Sequence, residues 1–173
     1  VLILEYLENG KYREAQTYFE KKIAATKKKS KNRYTGIEVL NLMLNYEIEQ
    51  AEEKTIRVNC AVEAYHCPVD ETELCIIIGN LFDNAIEAVK DLPDEQRQID
   101  FSIQNPNGIF RIEISNPYEG ERRKIEYHYL TTKKENIEMH GLGLMSVQKI
   151  VEKYDGLIEI SDKDNVFRVV VTL

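Results

Sequence analysis

Two asparagines, Asn80 and Asn84, stand four residues apart in the run DETELCIIIGNLFDNAIEAVKD at positions 70–91. Leu74, Ile77, Ile78, Leu81, Ala85, Ala88 and Val89 recur there at helical intervals, and they predict a helix over 70–91. Asn80, Asp83, Asn84 and Glu87 fall on the opposite, polar face. Asparagine is a poor helix former, and a solvated face is better served by long charged side chains. At i and i+4 two amide oxygens instead project to neighbouring points, an arrangement suited to a hydrated hard cation. An ordinary polar helix surface is the alternative reading of the same residues.

The second candidate segment is His140-Gly141-Leu142-Gly143-Leu144, which leads into an amphipathic helix predicted over 143–154. Leu144, Val147, Val151 and Tyr154 would face inward. Glycines let backbone approach a ligand closely, and the first turn of a helix turns its N–H groups and positive dipole end toward an anion such as a phosphate. A simple turn into the helix is the alternative. No strand is predicted directly before this segment and a third glycine is missing, so it is not a dinucleotide fingerprint; the Walker pattern is absent from the chain.

The elements around these segments define an architecture. A helix is predicted over 35–53, opening at Thr35-Gly36, and a strand over 55–63 with Ile56, Val58, Cys60 and Val62 alternating. Strands are predicted at 98–104 and 109–115 across the hairpin signal Asn105-Pro106-Asn107-Gly108. Residues 116–140 are polar and irregular, and two closing strands are predicted at 157–161 and 166–173. The expected fold is α+β: a two-layer sandwich with helices on one face of a mixed, mostly antiparallel sheet. Ahead of it, residues 1–24 predict two short helices joined at Asn9-Gly10, a hairpin that buries little without a partner. A lysine-rich stretch through Arg33 reads as a linker, so the expected division is 1–33 and 34–173.

The net charge of −7 over 173 residues disfavours non-specific binding to nucleic acid or to an anionic membrane. No segment approaches the roughly 20 apolar residues of a bilayer span, so no direct membrane contact is expected. Cys60, Cys67 and Cys75 are odd in number with no C-x-x-C pair, which argues against a disulfide framework and for a reducing, cytoplasmic setting. A zinc site from these cysteines and His66 is conceivable, but the spacing matches no common metal pattern. The chain opens at Val1 without an initiator Met and reads as a piece of a longer protein.

Taken together the motifs resemble the GHKL ATPase superfamily, which implies a Bergerat-type fold. NLFDNAIEA at 80–88 is similar to its asparagine box, HGLGL at 140–144 to its second glycine box, and YDGLIEISDKDNVFRVVVTL at 154–173 to its closing hairpin. The histidine kinases of the peptide-pheromone (AgrC-like) receptor type resemble this chain further, in NAIEA, Thr131-Thr132-Lys133, HGLGL and the opening phrase LENGKYREAQTYFEKKI.

The resemblance implies ATP and Mg²⁺ as ligands. Asn84 would ligate the Mg²⁺ that bridges the phosphates, with Asn80 in support; His140, Gly141, Leu142, Gly143 and Leu144 would line the phosphates. Residues 118–139 would be a lid, with Thr132, Lys133 and Lys134 reaching phosphate. Hydrolytic members carry a water-activating glutamate where Asn80 stands, and asparagine cannot accept a proton. Asn116 falls where an adenine-recognising aspartate is found, and Pro117 follows it in place of a glycine pattern.

The implied activity is transfer of the ATP γ-phosphoryl to a histidine on a dimerising helical hairpin, of which residues 1–28 would be a remnant. The implied partners are a second kinase subunit and a response regulator receiver domain, and the implied setting is the cytoplasmic part of a membrane-bound receptor. Two rival readings remain. One is an anti-sigma-type serine kinase, against which the helical remnant argues. The other is a non-catalytic or phosphotransfer interaction module with a decayed nucleotide site, which the missing first glycine box favours and Asn84 and HGLGL oppose.

Overall fold

The computed structural model describes residues 32–64, 66–119 and 141–173. The hairpin expected over 1–24, most of the lid, and Thr132, Lys133, Lys134 and His140 lie outside the described residues. The elements in chain order are α1 (Glu38–Glu52), β1 (Arg57–Glu63), α2 (Glu71–Val89), β2 (Gln98–Gln104), β3 (Arg111–Pro117), α3 (Gly141–Lys153), β4 (Leu157–Lys163) and β5 (Val166–Thr172). The strands form one sheet in the order β1-β2-β3-β5-β4. Only the β1–β2 pair is parallel, with α2 as its crossover; the other three pairs are antiparallel.

Period-two alternation builds the inner face of the sheet. Ile99, Phe101 and Ile103 of β2 are buried, and the register sets Phe101 opposite Ile114 and Ile103 opposite Ile112. Val169 and Val171 of β5 extend both rows. Against this face lies α2, flanked by α1 on one side and α3 on the other. The middle position explains why α2 is buried on more of its circumference than one stripe: Cys75, Phe82 and Ile86 are covered as well as the predicted Leu74, Ile77, Ile78, Leu81, Ala85 and Val89. Phe82 meets Phe101 with ring centroids 4.9 Å apart. Side chains of this size contribute about 1.5–3 kcal/mol each when buried, which makes the α2–sheet contact a major source of stability.

Several predicted boundaries move by a residue or two, each for a local reason. The strand predicted from 55 starts at Arg57, because Thr55 takes a left-handed φ of 58° at the end of α1 while Ile56 N–H closes on Ala51 O at 3.0 Å. The strand predicted over 109–115 runs from Arg111 to Pro117, because Asn116 and Pro117 pair with Phe167 and Val166 of β5. The turn before it is a short 3-10 turn at Pro106–Gly108, with left-handed Asn107 at φ 54° and Gly108 at φ 83°. Predicted from 143, α3 begins at Gly141.

Candidate functional site

The candidate site starts on α2. Asp70 caps this helix: its carboxylate accepts from the amides of Thr72 at 2.8 Å and Glu73 at 3.4 Å. The Thr72 amide also holds the Asp70 carboxyl below its ordinary value. Capping stabilises the start of the helix that carries Asn80 and Asn84.

Asn80 departs from the sequence expectation. The helical period puts it on a polar face with Asp83 and Glu87, yet it is buried at 8% exposure while those two are exposed. The cause is α3, which covers that flank of α2. Asn80 Nδ2 donates to Ile76 O at 2.7 Å, so the amide is tied back to its own helix. Its oxygen points at Gly143: a Cβ built on Gly143 would stand 2.8 Å from Asn80 Oδ1, closer than side-chain carbons are found. Glycine at 143 is therefore what lets the first turn of α3 close on the asparagine helix, and the two predicted motifs meet at this contact.

Asn84 is half-buried one turn further on. Its Nδ2 is enclosed and has no hydrogen-bond partner among the described residues. A buried amide without a partner costs free energy, about 1–3 kcal/mol, and marks a place where a ligand could supply the missing contact. The unpartnered atom is a donor and fits a phosphate oxygen; Oδ1 of the same amide is the atom that would face a hard cation, so the side chain as a whole fits Mg²⁺ bound with a polyphosphate. Leu144 is buried in the core and holds the first turn of α3 down. Gly141 and Leu142 belong to that same turn.

Asn116 lies on the inner face of β3, buried at 3%, opposite Phe167. Its Nδ2 donates to Pro117 O at 2.8 Å. That bond orients the amide and leaves Oδ1 as the end that can accept. Next along the chain, Tyr118 donates its hydroxyl to Asp162 Oδ1, and its amide donates to Asn165 O at 3.1 Å. The start of the expected lid is thus fastened to the β4–β5 hairpin. Asp162, predicted as loop, is a β4 residue and gives that anchor.

Sequence reading missed one cluster. Lys153 Nζ contacts both carboxylate oxygens of Glu73, at 2.8 and 3.0 Å. Tyr154, read from the sequence as an inward apolar residue, donates its hydroxyl to Glu73 Oε2 at 2.6 Å and accepts from the Asp70 amide at 3.1 Å. A tyrosine at the end of an amphipathic helix carries both an apolar body and a polar tip, and that dual character was the available signal.

Comparison with known proteins bears on the same region. The GHKL domain profile matches residues 69–173, from just before α2 to the end of the chain. The chain belongs to the GHKL domain family. This GHKL domain is similar to the "Probable C4-dicarboxylate sensor kinase" of Halalkalibacterium halodurans, 27% identical over 96 residues that make up 54% of this chain and 18% of that protein. It is likewise similar to "Sensor histidine kinase DpiB" of Escherichia coli, 28% identical over 100 residues, 56% of this chain and 18% of that protein. The chain thus spans less than a fifth of the length of these curated relatives. The catalytic domain of histidine kinase ThkA shares the fold, with a TM-score of 0.59, 18% identity, and coverage of 78% of this chain and 92% of that one. Five strands with helices packed on one face are therefore the architecture of histidine kinase catalytic domains as well.

Proposed function

We propose that this GHKL domain is the ATP-binding catalytic portion of a two-component sensor histidine kinase. The observation that carries the reading is the contact between Gly143 and Asn80, which brings a glycine-bearing helix N-terminus against the asparagine helix beside the unpartnered amide of Asn84. In this arrangement the N–H groups of the first turn of α3 receive phosphate oxygens. Asn84 would hold Mg²⁺, with Asn80 in support, and bound Mg²⁺ supplies charge neutralisation among the phosphates. Asn116 would accept from the adenine 6-amino group through Oδ1, the end left open by its bond to Pro117. Thr132, Lys133, Lys134 and His140, outside the described residues, are proposed to reach the phosphates from the lid.

Positioning and charge neutralisation carry most of the catalysis in phosphoryl transfer. An imidazole nitrogen on a helical hairpin would attack the γ-phosphorus as the bond to ADP breaks. Asn80 cannot take a proton from water, which suits transfer to histidine rather than hydrolysis. The reading extends to a second kinase subunit docked through the hairpin, to a response regulator that takes the phosphoryl onto aspartate, and to a place on the cytoplasmic side of a receptor. No helix among the described residues is long and apolar enough to cross a membrane. Membership in the peptide-pheromone branch is the finest part of the proposal, and rests on the resemblance of NAIEA, Thr131-Thr132-Lys133, HGLGL and the opening phrase LENGKYREAQTYFEKKI.

Titration with a fluorescent ATP analogue, with and without Mg²⁺, tests the reading. The parent chain should bind in a Mg²⁺-dependent manner. Asn84→Ala should lose that dependence and weaken binding by at least about tenfold, the effect of removing a charge-assisted contact of about 1.4 kcal/mol or more. Its urea midpoint should be no lower than the parent's, because Asn84 Nδ2 has no hydrogen bond to lose among the described residues and its removal relieves the cost of burying it. Unchanged Mg-ATP binding by the variant would remove the metal assignment.

A further inference from the structure

The placement of α3 along α2 needs an explanation that its buried face does not supply. Leu144, Val147 and Val151 press α3 inward. Apolar contact is non-directional, so it sets how near the helices lie far better than how far one slides along the other. Directional contacts exist at the two ends. At the beginning of α3, Gly143 fits against the Asn80 amide with no room for a Cβ. At its end, Lys153 and Tyr154 engage Glu73 and Asp70 at the start of α2.

The far end is itself rigidly built. Asp155 takes a left-handed φ of 53°, and Gly156 N–H returns to Val151 O at 2.9 Å, which closes the helix. Gly156 sits so close to β5 that a Cβ would lie 2.5 Å from Thr172 O, a backbone atom with no freedom to withdraw. The Tyr154 hydroxyl uses both its capacities on α2: it accepts from the N–H of the capping residue and donates to a carboxylate in the first turn. Lys153 completes the charge on Glu73 and lies over the Tyr154 ring, 5.1 Å from its centroid.

We propose that Tyr154, with Glu73 and Lys153, is a positioning group that fixes the axial register of α3 on α2 and so places the glycine-bearing turn opposite Asn80 and Asn84. It acts from eleven residues away, about 16 Å along the helix at 1.5 Å per residue. The consequence for nucleotide rests on the function proposed above; the register itself does not.

The test compares Tyr154→Phe, Glu73→Ala and the double variant in the full chain. Phe keeps the ring packing and deletes only the hydroxyl. Two ligands are titrated: Mg-ATP, which needs the turn, and adenosine, which has no phosphates. Amide hydrogen exchange at 143–147 is followed without ligand. Tyr154→Phe should raise the Kd for Mg-ATP about three- to tenfold, the scale of one lost hydrogen bond, and leave the adenosine Kd unchanged. Exchange at 143–147 should quicken while β2 and β3 keep their protection. The loss in the double variant should be smaller than the sum of the two single losses, because both changes remove the Tyr154–Glu73 bond while the Asp70 amide contact is lost only with the hydroxyl.

Equal loss for both ligands, additive losses, or unchanged exchange at 143–147 would overturn the proposal. Should Tyr154→Phe not fold, Glu73→Ala is read by the same measures. If the parent bound no Mg-ATP, the nucleotide reading would fall, and exchange at 143–147 would decide the register claim by itself.

Discussion

Asn80 and Gly143 constrain one another, and the constraint can be measured. Gly143 is helical, where alanine is normally favoured over glycine by about 0.5–1 kcal/mol. In this chain a Cβ would displace the Asn80 amide and cost its bond to Ile76 O, a net loss of about 0.5–1.5 kcal/mol. The two terms nearly cancel. Gly143→Ala should therefore leave the urea midpoint almost unmoved in the parent. In an Asn80→Ala background the same change should stabilise by about 0.5–1 kcal/mol. Equal effects in the two backgrounds would mean that the side chains do not compete. Both residue types were legible in the sequence, but their contact was not. Helical periodicity gives the angle of Asn80 on its helix; it does not say that α3 covers that angle. Asn84 was legible because asparagine is unusual mid-helix, whereas Asn116 was a candidate only through the resemblance, which sets it where an adenine-recognising aspartate is found. The second role of Tyr154 was hidden because its ring satisfies the apolar pattern.

Among the elements, α2 is the reference to which the others are set, and its start depends on Asp70. The cap satisfies two of the N–H groups that a helix leaves without partners. Asp70→Ala should cost about 1 kcal/mol at neutral pH, read from urea unfolding followed by circular dichroism. The amide of Thr72 favours the charged carboxylate and depresses its pKa in the folded chain. A depressed carboxyl contributes stability that is present above its ordinary value of 3.8 and is lost as pH falls through the folded value. The difference between parent and variant should thus shrink below about pH 4; a constant difference from pH 7 to pH 3 would show that the carboxylate is not what caps the helix. Element identity and order were legible for all the described helices and strands because their apolar periods differ. The boundaries were less so. Thr55 and Asn107 adopt left-handed backbone that period counting does not detect, and β3 extends to Pro117 only because β5 stands beside it.

For the molecule as a whole, the proposed division at 33/34 lies beside a segment bonded to α1: Asn32 N–H donates to Asn45 Oδ1 at 3.2 Å and Asn45 Nδ2 donates to Asn32 O at 2.8 Å. Asn41 Oδ1 accepts from the amides of Tyr34 and Thr35 at 2.8 and 3.0 Å, and Thr35 Oγ1 donates to Ala64 O at 2.6 Å. These bonds fasten residues 34 and 35 to α1 and to the end of β1. A chain of residues 32–173 should therefore unfold at a urea midpoint within experimental error of the full chain's, and a clear drop would place the boundary elsewhere. The division would also separate the two tasks of the proposed function, binding ATP and presenting an acceptor. An acceptor histidine must project from an exposed element that a kinase site can reach, away from the nucleotide held by its own domain. The chain has three histidines, His66, His128 and His140. Two residues before Pro68, exposed His66 lies in the short connection between β1 and α2, beside the capped start of α2 rather than on a free helix. His128 falls in the expected lid, and His140 adjoins the glycines proposed to hold phosphate, where an imidazole would contact the phosphates rather than attack in line. No histidine occurs in residues 1–28, the expected hairpin remnant. Incubated with γ-labelled ATP and Mg²⁺, the 173-residue chain should acquire no acid-labile, base-stable label, while binding the nucleotide as proposed. A separate helical hairpin that carries an exposed histidine, from a kinase of the same type, should accept label when added in trans. Stoichiometric phosphohistidine at position 66, 128 or 140 would show that the acceptor lies within the chain, and the separation of binding from presentation would fail.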